Sequence, residues 1–485
     1  MSQINESAIK TPGVYVNEIP SFPPSIAQVA TAIPAFIGYT QQAIDSNGVT
    51  IPPNTPKKIY SLKEYEQYFG TAEDELDINV AVKKITNGAG KVLSISAMAV
   101  NSNPSVHNMY YSIRAYFDNG GGSCYIVSVG LSSGSITDSD LLAGLNALEA
   151  YDEPTLILFP EGQSLVSASD YYALIGSAID QCVKLQDRFT LVDLYDQSGT
   201  TTDENINAFR GISPALPSDS FSKTDNLNYG AAYYPNLITT YNYKYQDSDV
   251  DIIITTDGVA AASVGLDTLK PGATSQDGAT YYACLNAISK IGPTLPPTPA
   301  VAGVYAKTDA QRGVWKSPAN TSIANVYDVT DYVTDEEQES MNIDTIAGKS
   351  VNAIRPFTGK GFLVWGARTL DGNSNEWKYV SVRRLFVNVE ESVKKATAQF
   401  VFEPNDANTW IRVQAMIQNY LTILWRQGAL AGAKPEHAFY VKVGLGQTMT
   451  ALDVLDGRMI VEIGMAAVRP AEFIILRFSH KMQES

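Results

Sequence analysis

Apolar residues recur with helical spacing along the last third of the chain. Val382, Phe386, Val389, Val393, Ala396 and Phe400 stand four, three, four, three and four apart, which predicts a helix over about 380–399 with one apolar stripe. Trp410, Val413, Ile417, Tyr420, Leu421 and Leu424 predict a second helix over about 408–427. Its opposite face carries Arg412, Asn419 and Arg426, seven residues apart. Upstream the period shortens. Cys124–Val127, Thr155–Phe159 and Phe189–Val192 are short apolar runs that read as strands, with helical patterns at 138–150 and 169–186 between them. Strand and helix in alternation predict an α/β layer with a partly parallel sheet over about 107–240. Ala32–Tyr39 reads as a further buried strand. Ser61–Gly70 reads as a short helix, with Ser61 as N-cap and Glu64 closing a capping box.

The two ends are patterned differently from the body. Gly13–Ile19, with Val14, Tyr15 and Val16, is a short strand pattern followed by Pro20, Pro23 and Pro24. Proline lacks the donor that a central strand needs, so this start is an extended arm. Near the other end, Arg458–Ile463 and Glu472–Phe478 read as strands. In the second, Phe473, Ile474, Ile475, Leu476 and Phe478 are apolar and only Arg477 is charged. Seven residues follow it, too few to fold back as a hairpin. Such a strand either recruits an edge on another chain or completes its own domain's sheet. Residues 243–303 are irregular, rich in Thr, Gly, Ala and Asp, and end in the proline-punctuated Gly292–Pro299. They read as an inserted surface lobe or long loop.

Charge adds an asymmetry. The 485 residues carry a net charge of −16, which disfavours a nucleic-acid partner. Residues 350–485 are nevertheless balanced at +4, with 16 basic and 12 acidic residues, while 1–349 stand at −20. Two unevenly solvated domains fit this, as does an assembly whose basic part faces an acidic partner. No apolar run approaches the roughly 18 residues of a membrane span, and the first ten residues lack the core of a secretory signal. Folding in the cytosol is expected.

Catalytic patterns are thin. Gly348-Lys349-Ser350 lacks the first glycine of a phosphate loop, since position 343 is Ile343. Asp247, Asp249 and Asp251 imitate a calcium loop, but Ile252 and Gly258 stand where Gly and Glu are required. His107, His437 and His480 have no partner at metal-ligand spacing, and Cys124, Cys182 and Cys284 read as buried thiols. Phe117–Gly122 reads as a tight turn before the strand at 124. No catalytic, cofactor-binding or metal-binding residue is assigned, and the chain does not read as an enzyme.

Several segments together resemble the contractile tail sheath proteins. They are Thr11–Val16, Ala32–Gly38, Phe117–Gly121, Arg312–Asn320, Ile354-Arg355, Trp365–Leu370, Tyr379–Arg384, Phe402–Asp406, Leu424–Leu430 and Arg469–Phe473. They follow the family's order and cover most of the chain outside about 130–300. The likeness is greatest to sheaths of phage-tail-like extracellular contractile injection systems. Type VI secretion sheaths are similar but are split into two chains. The resemblance implies an α/β (α+β) multidomain fold. A tube-proximal α/β domain would be built from the N-terminal arm and the C-terminal third, beside an outer α/β domain carrying the inserted lobe. The implied division is 1–31 N-terminal arm, 32–106 small α/β segment, 107–350 outer domain with the insertion 243–303, 351–469 tube-proximal domain, and 470–485 C-terminal arm strand. Val14, Tyr15, Val16, Phe473, Ile474, Ile475, Leu476 and Phe478 would link neighbouring subunits, while Arg412, Asn419 and Arg426 are the candidate contact with an inner tube. Expected partners are the chain itself in a helical array, the tube protein, baseplate and terminal cap proteins, and sister sheath proteins, with neither nucleic acid nor direct membrane insertion. Assembly is expected in the bacterial cytoplasm, within a particle that is released or membrane-anchored. A tail sheath of a contractile-tailed phage or prophage is the nearest alternative. A non-contractile shell protein and an α/β enzyme are more distant ones.

Overall fold

Strands covered by helices on both faces carry near-continuous apolar runs, and six such strands lie side by side in this chain. The computed structural model describes residues 26–476 apart from 88, 196–200, 212–223 and 274–275. The expected N-terminal strand with Val14, Tyr15 and Val16, and also Phe478, fall outside the described residues. The strands of the body are β1 (Pro34–Thr40), β2 (Lys57–Ile59), β3 (Ile78–Thr86), β4 (Val92–Asn101), β5 (Cys124–Leu131), β6 (Leu156–Leu158), β7 (Phe189–Asp193), β8 (Gly230–Tyr234), β9 (Val250–Thr256), β10 (Val351–Phe357) and β11 (Gly361–Val364). A nine-stranded sheet runs from the short strand Thr321–Ser322 through β11, β10, β8, β7, β6, β1 and β5 to β2. From β10 to β5 every pairing is parallel, while the edge strands are antiparallel.

Helices α1 (Leu62–Phe69), α2 (Met109–Asp118), α3 (Asp138–Leu148), α4 (Ala168–Leu185), α5 (Gly278–Ile288) and α6 (Thr298–Arg312) precede β10. Ala35, Ile37 and Tyr39 of β1 pack with α3 and α4 on one face of the sheet, and Phe36 packs with α1, α2 and α6 on the other. This alternation is the two-residue period of a strand buried on both sides. Gly144 lets α3 lie close, because a Cβ there would meet Val129 at 2.6 Å and Ile37 at 2.7 Å. Ser61 caps α1 by accepting the Glu64 amide. The Glu64 carboxylate, however, takes the Tyr60 amide at 2.7 Å, one residue before the position that a capping box uses.

The segment 243–303 is not one loop. Strand β9 pairs parallel with β3, which pairs antiparallel with β4, and α5 covers one face of this small sheet. The lobe is thus built from two distant segments. Half of it comes from the stretch assigned from sequence to a separate small α/β segment. Residues 298–303 belong elsewhere, since they open α6, whose Ala300, Val301 and Ala302 lie in the core beneath the nine-stranded sheet. The proline run that reads as a loop contains a helix start, where the missing donor of Pro299 costs nothing. Asp193, at the end of β7, reinforces that start by accepting from the Thr298 amide at 2.9 Å and its hydroxyl at 2.5 Å.

Past β11 come α7 (Val380–Thr397), α8 (Ala407–Arg426) and a two-stranded antiparallel sheet of β12 (Phe439–Lys442) and β13 (Glu462–Met465). The strand expected at 458–463 is therefore displaced toward its C-terminal end. The described residues form two compact units: 26–29 with 391–468, and 30–390 with 469–476. The break expected at 350/351 falls inside the large sheet, because β10 pairs with β8; the unit boundary lies within α7 instead.

Candidate inter-subunit arm and outward helix face

The backbone ladder of the 391–468 unit ends where Val468 donates to Ala429 at 3.2 Å. Pro470 follows and has no donor to continue it. Residues 471–476 form no strand. Phe473, Ile474, Ile475 and Leu476 are 67–79% exposed. Just before them, Glu472 accepts two hydrogen bonds from Arg368, at 2.9 and 2.7 Å, one from Asn342 at 2.7 Å and one from the Tyr379 hydroxyl at 3.0 Å. Burial pushes its carboxyl up, but the donors from Arg368 and Asn342 outweigh this and hold it below the usual carboxylate range. The described part of the run expected as a strand is thus tethered at one end and pairs with no sheet among the described residues.

Helix α8 has the predicted amphipathic build. Val413, Ile417, Tyr420, Leu421 and Leu424 are buried, while Arg412, Asn419 and Arg426 are exposed together on the other face. Asp406 caps it by accepting the Asn408 and Thr409 amides at 3.0 Å each. The outward face is not purely polar, because Ile411 and Ile423 flank the arginines at 63% and 45% exposure. Arg412 lies over the Phe400 ring, 5.3 Å from its centroid. Neither Arg412 nor Arg426 forms an ion pair among the described residues.

The first half of α7 departs from its predicted single stripe. Ser381, Arg383, Arg384 and Asn388 are buried along with Val382, Leu385, Val387 and Val389. Arg384 pairs with Asp309 at 2.6 Å, donates to the Thr31 carbonyl at 2.8 Å and stacks over Tyr305. Arg383 hydrogen-bonds the Tyr229 hydroxyl and lies over the Trp377 ring. Adjacent arginines in the mostly apolar first half of this helix were the available sign of buried ion pairing. The polar Glu472 leading a greasy run was the sign of an anchor.

Among the described residues no group of three His, Cys, Asp or Glu side chains could hold a metal ion. His107 is paired with buried Glu161 at 3.2 Å. Burial pushes the Cys124 and Cys182 thiols up, out of the range of reactive thiolates. The acidic 247–251 segment is used locally: Asp247 accepts from the Tyr281 hydroxyl at 3.0 Å and lies 3.6 Å from Lys270. No helix among the described residues is long and apolar enough to cross a membrane.

Two family models together cover most of this chain. Residues 134–370 match the phage tail sheath protein central domain, and residues 373–481 match the phage tail sheath C-terminal domain. The chain belongs to the tail sheath protein family. Solved relatives include the anti-feeding prophage baseplate, six-fold symmetrised, at 30% identity and a TM-score of 0.63, covering 98% of this chain and all of that one. The sheath complex of the PVC extracellular contractile injection system, in its contracted state, is also 30% identical, with a TM-score of 0.62 and 98% coverage of both chains. The tail sheath protein of Vibrio phage KVP40 is 23% identical over 409 residues, 79% of this chain. This chain spans about half the length of that phage protein, 53%.

Proposed function

We propose that the chain is the sheath subunit of a phage-tail-like contractile injection system. Copies assemble in the bacterial cytoplasm as an extended helical sheath around an inner tube, seated on a baseplate and closed by a cap. Contraction repacks the subunits and drives the tube through a target membrane, with no nucleotide consumed by this chain. The likeness to anti-feeding prophage and PVC chains over nearly their whole length supports this reading above that of a phage tail sheath.

The observation that carries the proposal is the row Phe473–Leu476, bare in the single chain and tethered at Glu472. A neighbouring copy offers the small sheet β12–β13, to which this row adds as a strand, as does the N-terminal arm. Burying four large apolar side chains contributes at most about 8 kcal/mol, at about 2 each. Ordering four residues costs roughly 1–2 kcal/mol apiece. One arm therefore holds weakly and many hold firmly, which suits a lattice that must stay connected while it changes pitch. In the same reading the outward face of α8, with Arg412, Asn419 and Arg426, meets the tube.

A chain ending at Glu472 should remain a folded monomer and form no hollow rods under negative stain. Long rods from that truncated chain would refute strand exchange.

A further inference from the structure

Between Arg469 and Leu476 the backbone makes no hydrogen bond among the described residues; the hydrogen bonds that tie this stretch to the body there come from the Glu472 side chain. The tie is built in depth. Both oxygens of Glu472 are engaged: one accepts from Arg368 Nε and Asn342 Nδ2, the other from Arg368 Nη2 and the Tyr379 hydroxyl. This is the paired geometry in which arginine recognises a carboxylate best. The remaining nitrogen of Arg368, Nη1, donates to the carbonyls of Asn342 and Gly372, at 3.2 Å each. The backbone of Arg368 is fixed in turn. Its amide donates to Asn352 Oδ1 at 2.7 Å, and Asn352 Nδ2 donates to the carbonyls of Arg368 and Ala232, at 2.8 and 3.0 Å. Asn352 lies in β10 and Ala232 in β8. An unbroken set of hydrogen bonds therefore runs from the centre of the nine-stranded sheet to one carboxylate at the root of the tail. Arg368 is 6% exposed and Glu472 is 21% exposed, yet the next residue is 67% exposed.

We propose that Glu472 is a positioning residue for assembly. The clasp with Arg368, Tyr379 and Asn342 sets the point from which the C-terminal arm leaves its own subunit. The apolar row beyond it is thereby presented to a second copy of this chain. The proposal rests on the strand-exchange reading above. A tethered root raises the local concentration of the arm at its acceptor and removes disorder that docking would otherwise have to remove. Within an array repeated along a tube, the same clasp also holds each arm to its donor subunit when neighbours move apart.

Glu472→Gln keeps the shape of the side chain and removes its charge, and Tyr379→Phe removes a single hydroxyl. Full-length protein is assayed for the concentration at which rods form, by light scattering and sedimentation, with far-ultraviolet circular dichroism of the dilute monomer as the fold control. Glu472→Gln should require roughly tenfold more protein for assembly, and Tyr379→Phe about two- to fivefold more, with unchanged spectra. Lowering the pH through and below the usual carboxylate range should close the gap between wild type and Glu472→Gln, because protonation removes the same charge. A purely structural role would leave the assembly concentration unmoved in both folded variants. If Glu472→Gln does not fold, Tyr379→Phe decides. The chain ending at Glu472 separates the two ideas. If it forms rods, strand exchange fails and the clasp with it. If it forms none while both variants assemble at the wild-type concentration, the clasp alone is overturned.

Discussion

Replacing Arg384 with Met tests how firmly the start of α7 is locked to the body. The side chains of Arg384 and Asp309 are 3% and 5% exposed and meet at 2.6 and 3.1 Å through two guanidinium nitrogens. Methionine has similar length and supports the helix, so packing is largely kept. What is lost is the partner of a buried carboxylate, the donor to the Thr31 carbonyl and the cation over the Tyr305 ring, 4.6 Å from its centroid. Breaking a buried pair from one side typically costs about 3–5 kcal/mol, because the surviving charge stays in a medium that cannot solvate it. Removing both charges is far milder. Arg384→Met should therefore cost about 3–5 kcal/mol in urea unfolding of dilute monomer, a large share of an ordinary domain's stability. Adding Asp309→Leu should restore at least half of that loss. A single variant within about 1 kcal/mol of wild type, or a double variant no better than the single, would show that Asp309 is rehydrated at little cost and that the pair is not a lock.

Two further outcomes follow from named side chains. Arg412→Glu and Arg426→Glu reverse charge on the outward face of α8 without touching its buried side, so the fold should survive while recovery of tube protein in a pull-down falls, most clearly at low salt, where the reversed charge is least screened; unchanged recovery in both would remove this helix from the tube contact. Burial pushes the Asp193 carboxyl up to about 7, against the opposing hydrogen bonds from Thr298. A folded-state value above the unfolded one stabilises at low pH and loses that contribution as pH rises through 7, so wild type should lose roughly 2–3 kcal/mol from this group between pH 5 and 8. Asp193→Asn should not, and parallel pH profiles of wild type and variant in urea melts would refute this account.

Elements whose pattern is local were legible in the chain. Helix α8 lies within a residue of its predicted bounds because a continuous inward stripe and a capping Asp406 agree. The parallel strands β5, β6 and β7 were legible because burial on both faces makes apolar runs. The misreadings occurred where a partner lies far along the chain. Strand β9 is paired by β3, more than 150 residues earlier, so neither shows that it belongs to a shared lobe. Arg384 finds Asp309 75 residues away, and Glu472 finds Arg368 104 residues away; no spacing rule reaches that far. The prolines before α6 misled for another reason. Proline's meaning depends on whether the next residues are buried, and here they are. At 473–476 the apolar pattern itself was legible. The pairing of Glu472 with Arg368 just before it was not.

The two-segment build of the lobe has a consequence for how such a subunit can be altered. Taken alone, 78–101 is one antiparallel hairpin whose Ile78, Val80 and Val82 are fully covered in the present structure. A lone hairpin in water is marginal, and here it would also bare that row. The other segment, without β3, would leave Val250 and Ile252 of β9 equally bare beside α5. Neither half is a removable cassette. A subunit trimmed for minimal size has to lose both stretches in one step, and a guest domain grafted onto this lobe needs a seam at a hairpin tip rather than at a boundary read from the linear chain.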